Sequence, residues 1–135
     1  MKKLLIILLY LPIFGFGEVI VKYTSINWLP INEAEALSAK YNKDILIFFY
    51  RENCDYCEKM KNQTFSDSTV IKLINDNFFP VMINGKSKSP IIYNKKKFTN
   101  DKPSPEEESY FHNLFKELVD LKNGNYYWPT IVMIN

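Results

Sequence analysis

An α/β fold is what this sequence predicts, with helices layered around a largely buried sheet. Three apolar runs lead to it. Residues 45–50 (ILIFFY), 78–83 (FFPVMI) and 130–134 (TIVMI) are rich in aromatic and β-branched side chains. Such continuous runs suit strands covered on both faces rather than on one. Between them lie stretches with helical spacing and helix-start residues, which gives the alternation that layered α/β domains show.

Taken in order, residues 18–24 alternate loosely and read as a short edge strand, and residues 26–31 as a turn anchored by Trp28. Asn32 is an N-cap candidate for a helix over 33–41, with Ala34, Leu37 and Tyr41 on one face. The strand at 45–50 comes next. Arg51-Glu52-Asn53 breaks it, and Cys54 opens a polar helical stretch to about Asn62. Ser66-Asp67-Ser68 can cap a further helix whose apolar face is Val70, Ile71, Leu73 and Ile74. After the second strand, residues 85–105 are lysine-rich with three prolines, and the expectation is a long surface loop. Ser104-Pro105 followed by Glu106-Glu107-Glu108 is a helix-start pattern. Tyr110, Phe111, Leu114, Leu118 and Leu121 continue that helix, and Gly124 is expected to end it.

The first 17 residues have the layout of an export signal. Met1-Lys2-Lys3 is followed by an uncharged apolar run over 4–16, then Gly15-Phe16-Gly17 before the first acid, Glu18. The run is short for a membrane span, which needs roughly 20 apolar residues. Cleavage after Gly17 would leave one domain over 18–135 in the periplasm or another exported location. Lys2 and Lys3 would leave with the signal, so the remainder carries 15 basic and 15 acidic residues. Such a balance gives no footprint for nucleic acid.

The chain has two cysteines, Cys54 and Cys57. A pair this close closes almost no loop and adds little loop-closure stability, so chemistry explains it better than stapling does. On a helix, positions i and i+3 are neighbours, within the separation a disulfide tolerates. At a helix start, Cys54 would meet unpaired N–H groups that favour a thiolate. Cys54 would then attack a substrate disulfide and Cys57 would resolve the mixed disulfide. A c-type haem site would need His where Glu58 stands. A zinc site needs four ligands, and the other strong ligand candidate is the lone His112. No metal or cofactor is expected.

These residues resemble the thioredoxin fold, and in particular an exported thioredoxin-like branch of thiol:disulfide oxidoreductases. The resemblance rests on Cys54-Asp55-Tyr56-Cys57-Glu58-Lys59-Met60, on Thr64-Phe65-Ser66-Asp67 with the capped helix and strand after it, and on Trp128-Pro129-Thr130. It covers most of the chain after the signal except 85–105. It implies a central mixed β-sheet flanked by helices, lacking the family's last strand and helix. It also implies a cis Pro129 packed against the dithiol, and a Trp128 backbone that pairs with a bound substrate as an added strand. The partners implied are protein thiols and disulfides, with a membrane thiol as electron donor.

Three departures shape the expectation. Phe48 stands six positions before Cys54, where many thioredoxins bury an acid, so any proton relay must use water or a group such as Glu52, Glu58 or Lys59. Asp55 disfavours a neighbouring thiolate, which points towards a reductase rather than an oxidant. The sheet would be left with an exposed edge at 130–134. Two alternatives stand beside the redox reading: a module holding Cu(I) on the dithiol with Met60 nearby, and a redox-inactive structural domain. Lys86, Lys88, Lys95, Lys96, Lys97 and Lys102 read as a solvated loop face, with docking of an acidic partner as the alternative. Tyr110, Phe111, Phe115, Tyr126 and Tyr127 read as packing around the last helix.

Overall fold

The strand at the centre of the sheet is the most apolar segment of the domain. In the computed structural model, which describes residues 22–101 and 110–135, β1 (Ile45–Tyr50) is buried over five consecutive residues. It pairs in parallel with β2 (Phe79–Asn84) and antiparallel with β5 (Thr130–Ile134), giving the order β2-β1-β5. Alternate side chains of β1 enter two different cores, as the pleat requires. Ile45, Ile47 and Phe49 join Ala34, Val81, Ile83, Phe98, Leu114 and Phe115 on one side. Leu46 and Phe48 join Ile26, Phe65, Ile71, Ile74 and the two cysteines on the other. The mixed sheet with helices around it is the architecture expected of a thioredoxin-like fold.

The helices are α1 (Ile31–Tyr41), α2 (Asp55–Lys59), α3 (Ser68–Asn77) and α4 (Asn113–Leu118), with a π-helical turn, Met60–Thr64, continuing α2. Helix α1 starts before the expected Asn32. Pro30 is its N-cap, and the Pro30 carbonyl accepts from the N–H groups of Glu33 and Ala34. The proline ring fixes φ near −60°, which this entry accepts, and no side chain caps the helix. Helix α3 begins as expected, with the Asp67 carboxylate accepting from the N–H groups of Thr69 and Val70.

Two segments differ from expectation. Within the lysine-rich stretch, β3 (Ile91–Tyr93) and β4 (Lys96–Phe98) form a hairpin that brings Phe98 into the core. Its turn residues Asn94 and Lys95 both have positive φ, 47° and 60°, the backbone of a type I′ turn. Among the described residues, the helix expected to run to Leu121 consists of α4 alone. Tyr110 and Phe111 precede it without helical structure, Val119 is extended, and Leu121 is exposed. Gly124 (φ 73°) does not end a helix. It sits with Asn123 (φ 51°) in a two-residue turn closed by the Lys122–Asn125 backbone pair. The expected signal at 1–17, most of the strand expected at 18–24 and the helix start at 104–108 lie outside the described residues; 22–24 form no strand.

Candidate functional site

Cys54 stands where β1 gives way to α2. Tyr50 ends the strand, and Asn53 takes a left-handed conformation (φ 51°), which asparagine tolerates better than most residues. That reversal makes Cys54 the N-cap of α2, with extended backbone at φ −125° and ψ 100°. Its sulfur accepts from the Cys57 N–H at 3.2 Å. The two cysteines form a disulfide with their Cα atoms 5.2 Å apart. Cys54 keeps 6% of its surface exposed and Cys57 none, so Cys54 is the more accessible residue of the two.

The floor beneath this pair is aromatic. Phe48 is fully buried, edge-on to Phe65 at 4.9 Å, and Trp28 meets Phe65 edge-on at 5.3 Å. No acid lies at the Phe48 position, and the other carboxylates near the motif point outward. Glu52 and Asp55 are exposed, and Glu58 pairs with Lys61 at 2.9 Å. Tyr56, between the cysteines, is 72% exposed.

The second expected element arrives through sheet register. Thr130 pairs with Phe49, so the segment ahead of β5 is carried to the end of β1 from which Cys54 departs. There the Trp128–Pro129 peptide is cis, and the Thr130 hydroxyl donates to the Tyr127 carbonyl at 2.6 Å. The Trp128 ring does not project freely. It stacks on Phe115 at 4.4 Å and 12°, with Phe111 and Tyr126 completing an aromatic group. It packs against both cores. Gly85 is a glycine for this reason: a Cβ there would fall inside the Trp128 ring. Tyr127 stays exposed, and Tyr110 lies outside the stack with Lys88 over its ring.

His112 is fully buried and serves structure. Its Nδ1 accepts from the Leu114 N–H as the cap of α4, so Nε2 carries the proton and donates to the Ser89 carbonyl at 3.1 Å. Burial holds this imidazole below the usual histidine range, with Lys116 adding slightly and the Ser89 bond and Asp101 opposing. Among the described residues, no group of three or more His, Cys, Asp and Glu side chains converges as a metal site.

The sequence reading named Glu52, Lys86 and Lys88, the lysines with docking of an acidic partner as the alternative, but did not bring them together on the β2 side. Arg51, Glu52 and Asn53 face Asn84, Lys86, Ser87, Lys88 and Tyr110 across a cavity of about 630 Å³. The signal available was the nearness of Lys86 and Lys88 to the end of the second strand, which reads as ordinary loop charge until the parallel pairing is known.

The sequence model of the thioredoxin-like domain family matches residues 31–135, which takes in both cysteines, Trp128 and Pro129. Comparison with curated proteins gives no match. A family match over most of the chain, a mixed sheet flanked by helices and a Cys54–Cys57 pair at the end of the central strand agree with one another, and the chain belongs to the thioredoxin-like domain family.

Proposed function

We propose that this protein is an exported thiol:disulfide oxidoreductase that works as a reductant of protein disulfides. The observation that carries the reading is the Cys54–Cys57 disulfide at the start of α2, with Cys54 nearly buried and Cys57 fully so. In the reduced protein, the Cys54 thiolate attacks a substrate disulfide, forming a mixed disulfide and releasing one substrate thiolate. The Cys57 thiolate then attacks the Cys54 sulfur and expels the second. Two electrons pass to the substrate, the released thiolates take up two protons, and the Cys54–Cys57 disulfide re-forms. A membrane thiol donor would return the electrons.

The Cys57 N–H directed at the Cys54 sulfur and the helix start beneath it favour a thiolate, while Asp55 opposes it. A less stabilised thiolate makes a more reducing couple. The substrate chain would lie along the Trp128 backbone, ahead of the cis Pro129, as an added strand. The apolar layer headed by Phe48 holds no proton acceptor, so proton transfer during resolution goes through water.

Titration of the couple in a dithiothreitol redox series is the test, combined with Cys57→Ala to trap intermediates. The expected potential is about −270 mV, and Cys57→Ala accumulates mixed disulfides through Cys54. A potential of about −120 mV would make the protein an oxidant instead. Failure of the pair to exchange with any thiol would leave a structural disulfide.

A further inference from the structure

The cavity beside Cys54 has a chemistry that the redox reading alone does not use. Among the described residues, three cationic side chains line it, Arg51, Lys86 and Lys88, against one carboxylate, Glu52. Among the described residues none of the three cations makes an ion pair. The Arg51 Nε is buried and has no hydrogen-bond partner there. An atom closed off in this way is out of reach of a group in the cavity, so Arg51 acts there through its charge.

The loop that presents the lysines is held from two sides. Asn100 Nδ2 donates to the carbonyls of Ser87 at 2.7 Å and Lys86 at 3.2 Å. The His112 N–H donates to the Gly85 carbonyl and its ring to the Ser89 carbonyl. The ammonium groups themselves rest over aromatic rings, Lys86 over Phe111 at 5.5 Å and Lys88 over Tyr110 at 5.8 Å. The charges are therefore positioned before anything binds, which lowers the ordering cost of recognition. Parallel pairing of Tyr50 with Asn84 sets this loop against Arg51-Glu52-Asn53, the three residues that lead into Cys54.

We infer that this cavity is a subsite for carboxylate side chains flanking the disulfide of the substrate, so that acidic polypeptide segments are the preferred substrates. The inference rests on the redox reading for what happens at Cys54, but the binding it claims is separable. Carboxylates there would meet the positive charge of Arg51, Lys86 and Lys88, which would steer acidic segments towards the dithiol.

The test uses the purified oxidised protein and two fluorescent cysteine-free peptides of equal length, one rich in Asp and Glu and one with those positions as Asn and Gln. The acidic peptide is expected to bind about tenfold more tightly at low salt, with the preference fading as salt screens the attraction. Lys86→Gln combined with Lys88→Gln should bring the two affinities together. Equal affinities in the unchanged protein would overturn the inference. A parallel measurement of exchange with a neutral disulfide peptide reports on the redox reading by itself, so failure of one is not mistaken for failure of the other.

Discussion

Gly85 owes its identity to Trp128 rather than to any turn. The ring of Trp128 occupies the space a side chain would take, with Phe115 closing the same spot at 3.3 Å from the missing Cβ. Gly85→Ala forces the ring off its stack on Phe115, the kind of overpacking that costs about 1–3 kcal/mol. Urea unfolding should show a lowered midpoint at unchanged slope, and Trp fluorescence should report the displaced ring. The dithiol was legible at this scale, because Cys-x-x-Cys after an apolar strand has few competing explanations. Gly85 was not, since a single glycine in a lysine-rich stretch looks like loop punctuation until a tryptophan 43 residues later is known to lie on it.

Between elements, Asn75 does what hydrophobic contact cannot. It is buried on α3, where its Oδ1 accepts from the Asn27 N–H and its Nδ2 donates to the Ser25 carbonyl, both at 2.9 Å. These bonds fasten residues 25–27, and with them Trp28, over the aromatic floor of the dithiol. Asn75→Ala removes both part-buried bonds and should lower stability by about 1–3 kcal/mol, read as a drop in the urea midpoint. Periodicity located α3 but ranked its residues imperfectly, since Leu73 is exposed and the polar Asn75 is inside. The three strands of the central sheet match their apolar runs nearly to the residue, because five or six such positions in a row leave little choice. The hairpin of β3 and β4 escaped notice because its turn is Asn-Lys rather than Asn-Gly, and lysines occupy two of three positions in β4. The last helix was drawn too long because apolar spacing continued past Val119, where the backbone in fact leaves the helix to reach β5.

Across the whole molecule, the single histidine ties the loop at Gly85–Ser89 to the start of α4, and its chemistry sets a pH limit on stability. Burial lowers the His112 value in the folded state, so the unfolded chain takes up a proton more readily, beginning near the ordinary value of about 6.5. Stability is therefore complete above that value and declines as the pH falls through the folded-state value. Protonation of Nδ1 would also destroy its acceptor role towards Leu114. Urea midpoints measured between about pH 7.5 and 5 should fall in the unchanged protein. They should stay flatter in His112→Asn, which keeps an N-cap oxygen but does not titrate.

Sheet register has one more effect. Cys54 and Cys57 stand three positions apart, whereas the Trp128–Pro129 segment comes to the same end of the sheet through the pairing of β5 with β1, from more than 70 positions away. The reactive pair is a local property of the chain, and the proposed substrate groove is a property of the closed sheet. On the proposed redox function, loss of β5 removes the groove while leaving the pair, so selectivity among protein disulfides is expected to fail before reaction with small reagents does.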